Sequence, residues 1–292
     1  MRTNWTEGRD YSVVCHTVWN VKCRNEEKRS HSLKHHPNYP DAKKLGDYEA
    51  AQNLADSLIC PKALAILKDK IDLSRFDMDP LAKRPVLIAP SLTSGSNNVI
   101  PIWTAYNLGF QLGLGVDRDI FQKEKISRTN KSALFRLLNQ PEFYGNVSKG
   151  REYIIVDDNY TLGGTIAALR SYIEMNGGKV ICATVLADQD PDNKHSKNPL
   201  DKLCGHEIRW NISEQTLQSI EDKYGGWTFA RDFQSKVGFS LEGLTEQEGR
   251  FVGHFQDKRA LFRAVDEERN LESSRGGREI FATTSARAYQ PA

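Results

Sequence analysis

The sequence predicts an α/β protein with a mostly parallel sheet flanked by helices and with additions at both ends of the chain. Three short apolar runs, at 85–89, 153–156 and 180–187, are typical of buried parallel strands. Between the second and third runs, Ile166, Leu169 and Ile173 recur three and four residues apart, as on one face of a helix. Residues 152–187 are therefore predicted to form a strand–loop–helix–strand unit with parallel strands and a right-handed crossover.

The flanking segments differ from this centre. Residues 1–80 are predicted to be an N-terminal extension, with a strand or hairpin at 11–23, a basic polar loop and two helices at 48–59 and 61–70. Residues 81–200 form the α/β core, which includes helices at about 100–114 and 132–139. Residues 201–272 form a mainly helical C-terminal lobe, with a short strand near 206–210 and a helix at 214–224. Thr245 and Glu248 form a capping-box pattern ahead of a helix that runs to about 269. The last residues, 273–292, are predicted to be a flexible tail.

Composition excludes several classes of protein. The 292 residues carry 40 basic and 38 acidic side chains, so global charge does not indicate nucleic-acid binding. No apolar run approaches the roughly 20 residues that span a bilayer, and the N-terminus lacks the apolar core of a secretory signal. The five cysteines include no C-x-x-C pair, which favours reduced thiols in a cytoplasmic protein without a membrane partner.

The ten residues VDDNYTLGGT, at 156–165, carry the clearest chemistry. Asp157 and Asp158 follow a predicted strand, at the edge where open α/β sheets bind ligands. Gly163 and Gly164 precede a predicted helix, whose free N–H groups attract phosphate and whose glycines let the backbone approach it. Carboxylates accept hydrogen bonds from vicinal hydroxyls, so the two halves together specify a phosphorylated pentose. Neither a Walker A nor a dinucleotide-binding glycine motif is present.

The stretch IIVDDNYTLGGT resembles the phosphoribosyl pyrophosphate (PRPP) loop of type I phosphoribosyltransferases. The resemblance covers about 85–190 and implies that family's core, with Asp157 and Asp158 as catalytic residues that bind the ribose hydroxyls. It implies that the 5-phosphate is wrapped by Thr161, Leu162, Gly163, Gly164 and Thr165. Two positions depart from the family pattern: Asn159 replaces an aliphatic residue, and Leu162 replaces a threonine or serine. Leu162 removes one hydroxyl and keeps its backbone N–H.

The resemblance also implies a pyrophosphate loop and a closing loop. The run SLTSGSNN after the first core strand suits the former, through Ser91, Thr93, Ser94 and Gly95. The charged segment 117–131 suits the latter, and of its cations Arg128 and Lys131 are the expected catalytic contributors. The implied cofactor is Mg²⁺, held mainly by substrate and water, with no metal bound directly by the protein. Asp188 or Asp190 is a candidate to face the acceptor, although a polar strand exit explains both equally well.

Several other features have simpler explanations. The basic segment 24–44 can contact a nucleic-acid backbone, but such a stretch is more often a solvated loop. Cys15, Cys23, His31 and His35 invite a zinc interpretation, but their spacing matches no common zinc site. Three tryptophans are most simply core aromatics: Trp103, Trp210 and Trp227. Trp227, near Gly225 and Gly226, also offers a surface on which a base can stack.

Two functions follow from the sequence. The first is a phosphoribosyltransferase, a pentosyltransferase of nucleotide metabolism that moves a phosphoribosyl group from PRPP to a nitrogenous acceptor and releases pyrophosphate. The second is a repurposed or non-catalytic protein of the same fold, a regulator or an accessory or effector of a bacterial defence system such as a retron, in contact with nucleic acid. The intact pair Asp157 and Asp158 favours the enzyme, whereas Leu162 and the long basic N-terminal region favour the alternative. The sequence leaves the acceptor and homo-oligomerisation open.

Overall fold

The computed structural model describes residues 2–21, 26, 30–72, 74, 84–90, 98–123, 131–189 and 205–271. The strands are β1 (Ser12–Val18), β2 (Val86–Ile88), β3 (Gly115–Asp117), β4 (Ile120–Gln122), β5 (Phe143–Gly145), β6 (Glu152–Tyr160), β7 (Lys179–Asp188) and β8 (His206–Arg209). In the described chain six of them form one sheet in the order β3-β2-β6-β7-β1-β8, and β4 pairs with β5 separately. Every neighbouring pair of the large sheet is parallel except β1 with β8. The predicted α/β class with a mostly parallel sheet is confirmed.

Helices cover both faces of this sheet and build the C-terminal lobe. They are α1 (Tyr48–Leu58), α2 (Pro61–Ile71), α3 (Ile100–Leu112), α4 (Ala133–Leu138), α5 (Gly164–Met175), α6 (Glu214–Tyr224), α7 (Gly226–Val237), α8 (Glu246–Gly253) and α9 (258–271). A π-helical turn at Asp41–Leu45 and short 3-10 turns at Leu33–His35 and Leu241–Gly243 complete the described elements. Among these residues no helix combines the length and the apolar character needed to cross a bilayer.

The apolar core has two layers that the sheet separates. On one face, α1, α2 and α3 pack against buried residues of the central strands such as Leu87 and Ile154. On the other face, α5 covers Ile155 and Val185 through residues such as Leu169. Successive side chains of a strand point to opposite faces, so the alternation along β6 decides which face each residue of the candidate site meets.

The sheet draws on all three predicted segments of the chain. β1 comes from the N-terminal segment and lies between β7 and β8, with Val13 in register with Ala183 on one side and Ile208 on the other. The strand predicted at 11–23 is present, and its partners lie about 170 and 195 residues away along the chain. The predicted segments on either side of residue 80 therefore contribute strands to the same sheet.

The C-terminal lobe has its own core of buried aromatic and aliphatic residues, including Phe229, Phe233 and Leu261. The capping box at Thr245 and Glu248 is present at the start of α8. The single helix predicted from there to 269 is wrong: α8 ends at Gly253, four non-helical residues follow, and α9 begins at 258. The tail at 273–292 lies outside the described residues.

Other differences from the sequence prediction are local. Trp210 is buried as predicted, but Trp227 is 76% exposed and lies on the surface of α7, so its assignment to the core was wrong. Trp103 is half-buried in an aromatic row with Tyr48 and Tyr106. The segment 117–131, predicted as a loop, contains β4, whose partner β5 lies about 23 residues further along the chain.

Candidate functional site

The predicted acid pair lies at the carboxyl end of β6, near the middle of the sheet. The sequence predicted a strand that stops at 156, but β6 continues to Tyr160. The extension occurs because β7 is equally long and supplies partners, with Asp157 in register with Val185 and Tyr160 with Asp188. The two carboxylates are therefore carried by paired, rigid backbone.

Asp158 is buried and already has polar partners. It is 7% exposed and lies on the same face of β6 as Val156, the face covered by α1 and α3. Its Oδ2 accepts a charged hydrogen bond from Lys43 Nζ and a second bond, of 3.0 Å, from Asn98 Nδ2. Burial would raise the pKa of Asp158, but the Lys43 ammonium and these hydrogen bonds hold it below its usual value. Asp158 is an anion at neutral pH.

Asp157 has the opposite electrostatic character. It is half-buried, and its Oδ1 accepts a bond of 2.8 Å from the backbone N–H of Asp158. Burial and the neighbouring charge of Asp158 raise the pKa of Asp157 from 3.8 to about 8. The acid pair therefore holds one proton at neutral pH, and a neutral Asp157 both donates and accepts hydrogen bonds. Together with Lys43 the group has no net charge.

Lys43 is a residue at the acid pair that the sequence interpretation did not assign to the site. It belongs to the π-helical turn Asp41–Leu45, which Gly46 ends in a left-handed conformation. A backbone bond of 3.4 Å from Val99 N–H to Ala42 carbonyl ties this turn to the start of α3. Burial lowers and Asp158 raises the pKa of Lys43, and the net direction is upward. The basic segment predicted as a solvated or nucleic-acid-binding loop thus contributes a cation to the acid pair.

The glycine turn follows directly. Gly163 has φ +76° and caps α5; a Cβ on it would come within 2.5 Å of the Tyr160 ring. A Cβ on Gly164 would lie 2.8 Å from Glu248 Oε1 and 3.0 Å from Gln140 Oε1. The left-handed φ and the tyrosine ring require glycine at 163, whereas a side chain at 164 would displace Glu248 and Gln140 of the chain itself.

The C-terminal lobe holds this turn in place. The Thr245 hydroxyl donates to the carbonyl of Leu162. Glu248, which stands against Gly164, is paired through both oxygens with the Arg2 guanidinium, at 3.0 and 2.6 Å. Both partners of this ion pair are buried, with side chains 1% and 0% exposed. The half-buried Thr161 accepts a weak bond of 3.3 Å from Asn159 Nδ2, and Thr165 is also half-buried.

The other predicted site residues divide into two groups. Ser91, Thr93, Ser94, Gly95 and Arg128 lie outside the described residues, as does Asp190. Asn98, the last residue of the predicted pyrophosphate loop, does reach the site through Asp158. Lys131 precedes α4, and its ammonium lies 4.9 Å from the centre of the Phe135 ring. Asp188 is buried at the end of β7, where its Oδ2 lies 3.2 Å from His206 Nε2; its role toward an acceptor stays a prediction.

The sequence comparisons identify relatives without establishing a family. No family model matches the chain. It is 36% identical to the protein TraN of Escherichia coli over 259 residues, which are 89% of this chain and 52% of TraN. It is 36% identical to an uncharacterized protein of Haemophilus influenzae over 138 residues, 47% of this chain and 29% of that protein. The chain thus spans about half the length of TraN.

Solved structures with local similarity include two phosphoribosyltransferases. An adenine phosphoribosyltransferase aligns at 21% identity and a TM-score of 0.26, over 44% of this chain and 72% of the other. A hypoxanthine phosphoribosyltransferase from Staphylococcus aureus aligns at 13% identity and a TM-score of 0.30, over 50% and 66%. TM-scores of this size do not establish a common fold, so the chemistry of the site has to carry any functional argument.

Proposed function

We propose that the chain binds PRPP and transfers its phosphoribosyl group to a nitrogenous acceptor with release of pyrophosphate. The observation that carries the proposal is the order of elements at 152–188. An acid pair lies near the carboxyl end of β6, a left-handed glycine caps α5, and β7 returns parallel to β6. This arrangement offers hydroxyl-binding carboxylates and a helix N-terminus for a phosphate within one loop.

The two aspartates would make different hydrogen bonds to the ribose hydroxyls. Neutral Asp157 can donate to one hydroxyl oxygen and accept from another group, whereas ionised Asp158 can only accept. In the reaction the bond from the anomeric carbon to pyrophosphate breaks and a carbon–nitrogen bond forms, through a transition state with oxocarbenium character. Asp158 would then stabilise positive charge on the sugar, and Lys43 would stabilise negative charge on the departing pyrophosphate.

The residues present fit Mg²⁺ through the carboxylates of the acid pair. Asp158 Oδ2 is engaged by Lys43 and Asn98, so Asp157 is the carboxylate left to meet a cation. When bound, Mg²⁺ would neutralise pyrophosphate oxygens and be held mainly by substrate and water. Beside such a cation Asp157 would lose its proton to solvent, because a nearby positive charge favours the ionised acid.

Calorimetry with PRPP and Mg²⁺ tests the binding site. We expect a binding signal with the wild type that is lost when Asp157→Asn and Asp158→Asn are combined. Asp222→Asn, an exposed acid on α6, is the matched control and should bind as the wild type does. No heat with the folded wild type, or equal heat with the double variant, would show that the acid pair is not the ligand site.

A second function is favoured by one observation: side chains of the chain itself occupy both halves of the site. Lys43 is bonded to Asp158, and Glu248 and Gln140 stand against Gly164. A repurposed protein that senses the ligand, or does not bind it at all, would tolerate this. Release of pyrophosphate in the presence of a panel of nucleobases separates the two functions. A sensor would bind PRPP without releasing pyrophosphate from it. Copurifying nucleic acid that is lost when Lys28, Arg29 and Lys34 are neutralised would also support the second function.

A further inference from the structure

Three side chains that can ligate a metal lie close together on β7, β1 and β8, the last three strands in the order of the sheet. Cys15 of β1, Asp188 of β7 and His206 of β8 place one ligand atom each within 4.8 Å of one another. Sheet pairing explains why Cys15 and His206 are close. Cys15 lies directly opposite His206 in the antiparallel pair of β1 and β8, where facing side chains share one side of the sheet. β7 lies on the other side of β1 and ends at Asp188.

The surroundings of the three groups suit a bound cation. Cys15 is fully buried and Asp188 is 2% exposed, and buried carboxylates in proteins are typically paired with a cation or bound to a metal. His206 Nε2 lies 3.2 Å from Asp188 Oδ2. Neither nitrogen of the His206 ring makes a hydrogen bond within the described part of the chain. The ring nitrogens of His206 are therefore available to bind a metal next to a buried carboxylate and a thiol, because no hydrogen bond from the described residues occupies them.

We propose that Cys15, Asp188 and His206 bind one zinc ion, with water as the fourth ligand. Thiolate, imidazole and carboxylate are the ligands that zinc takes in proteins. Tetrahedral zinc with bond lengths near 2.0–2.3 Å sets its ligand atoms roughly 3.4–3.6 Å apart, so the three groups need only small movements. His206, with its side chain 15% exposed, provides the path by which the ion enters. This inference does not depend on PRPP binding.

A catalytic cysteine is a different use of the same three residue types, and the burial of Cys15 argues against it. Its side chain is 0% exposed within β1, which is paired on both edges. A substrate carbonyl cannot reach a sulfur in that position, whereas a single ion can. A bound zinc would link β7, β1 and the short edge strand β8, and it would therefore stabilise the fold as well as hold a water.

Zinc content and cobalt spectroscopy of the 292-residue chain test the site. We expect one zinc per chain after dialysis against excess zinc and removal of loosely bound ions. Replacement by Co²⁺ should give the d–d bands of a tetrahedral ion and a thiolate-to-cobalt charge-transfer band. His206→Gln should weaken zinc binding about 100-fold or more, since even partners beyond the metal ligands contribute 10- to 100-fold. Cys15→Ser should abolish the charge-transfer band.

Cys182→Ser is the matched control, because Cys182 is another buried cysteine of the sheet, 1% exposed, and is not part of the cluster. It should retain zinc and the charge-transfer band. His206→Gln alters a partly exposed residue, so it tests the proposal even where Cys15→Ser does not fold. At about 100 times the dissociation constant, zinc should raise the Tm of the wild type on the order of 5 °C and leave that of His206→Gln unchanged. Metal-free wild type in excess zinc, a cobalt complex without the thiolate band, or equal affinity in His206→Gln would each overturn the proposal.

Discussion

The proton held by Asp157 makes the stability of the folded protein depend on pH in a way that one substitution removes. The pKa of Asp157 is 3.8 in the unfolded chain and about 8 in the folded one, because burial and Asp158 disfavour its charge. Between these values the native state binds more protons than the unfolded state, so the free energy of unfolding falls as pH rises. Asp157→Asn cannot ionise and keeps the oxygen that accepts from the Asp158 N–H.

The size of the effect follows from that window. Each pH unit inside it changes the free energy of unfolding by about 1.4 kcal/mol, so two units, from pH 5 to pH 7, give about 2.7 kcal/mol. Asp157 is only half-buried, and water that reaches it reduces the effect to about 1–2 kcal/mol. The stability of Asp157→Asn relative to the wild type should therefore increase by about 1–2 kcal/mol over this range.

Urea unfolding of both proteins at pH 5, 6 and 7 measures this difference directly. Titrating groups that do not interact with Asp157 are common to the two proteins and cancel when the two free energies are subtracted. Asp222→Asn, which removes an exposed carboxylate from α6, should follow the pH dependence of the wild type. If the curves of Asp157→Asn and the wild type run parallel from pH 5 to pH 7, Asp157 ionises normally and the proposed sharing of one proton by the acid pair is refuted.

Three further substitutions test the contacts that close the site, each by urea unfolding. Lys43→Met should lower the free energy of unfolding by about 1–3 kcal/mol at pH 7, because it leaves the buried Asp158 carboxylate without its cation. The loss should be smaller at pH 4, where Asp158 gains a proton. An equal loss at both pH values would contradict the ion pair. Gly163→Ala should cost about 2 kcal/mol more than Gly225→Ala, because both glycines have positive φ but only the first has a tyrosine ring behind it; equal costs would mean that the ring moves freely away. Glu248→Gln should cost about 3–5 kcal/mol by breaking a fully buried ion pair, against less than about 1 kcal/mol for Asp266→Asn in an exposed pair; similar small losses would show that the buried pair contributes nothing.

The sequence was sufficient for the elements whose signals are local. The strands at 153–156 and 180–187 and the helix between them were predictable because apolar periodicity and the terminal glycines act over a few residues. The capping box at Thr245 and Glu248 was equally local. The end of β6 was not predictable, since Asp157 and Asp158 break the apolar run and only pairing with β7 keeps them in a strand.

What the sequence could not supply were contacts between distant parts of the chain. Lys43 meets Asp158 across 115 positions, and Arg2 meets Glu248 across 246. No sequence pattern around Lys43 or Arg2 distinguishes it from the other basic residues of its segment. The position of β1 between β7 and β8 is also non-local, and it alone brings Cys15 opposite His206. The zinc proposal therefore depends on tertiary structure, and the spacing of cysteines and histidines along the chain had indicated no such site.

The two halves of the candidate site share one physical property: each anionic group is already neutralised by a residue from outside the α/β unit. Lys43 neutralises Asp158, and Arg2 neutralises Glu248 at the glycine turn. A phosphate that approaches the start of α5 does not meet an uncompensated carboxylate, because the charge of Glu248 is balanced by its buried arginine. A ribose diol that approaches Asp158 instead has to compete with an ammonium ion for the same oxygen. PRPP binding as proposed would therefore require Glu248 and Gln140 to make room at Gly164 and Lys43 to leave Asp158, and the natural destination for the charge of Lys43 is the pyrophosphate of the same ligand. A ligand with both a diol and a pyrophosphate would compensate for the lost ion pair by giving Lys43 a new anionic partner, and a simple pentose phosphate would not.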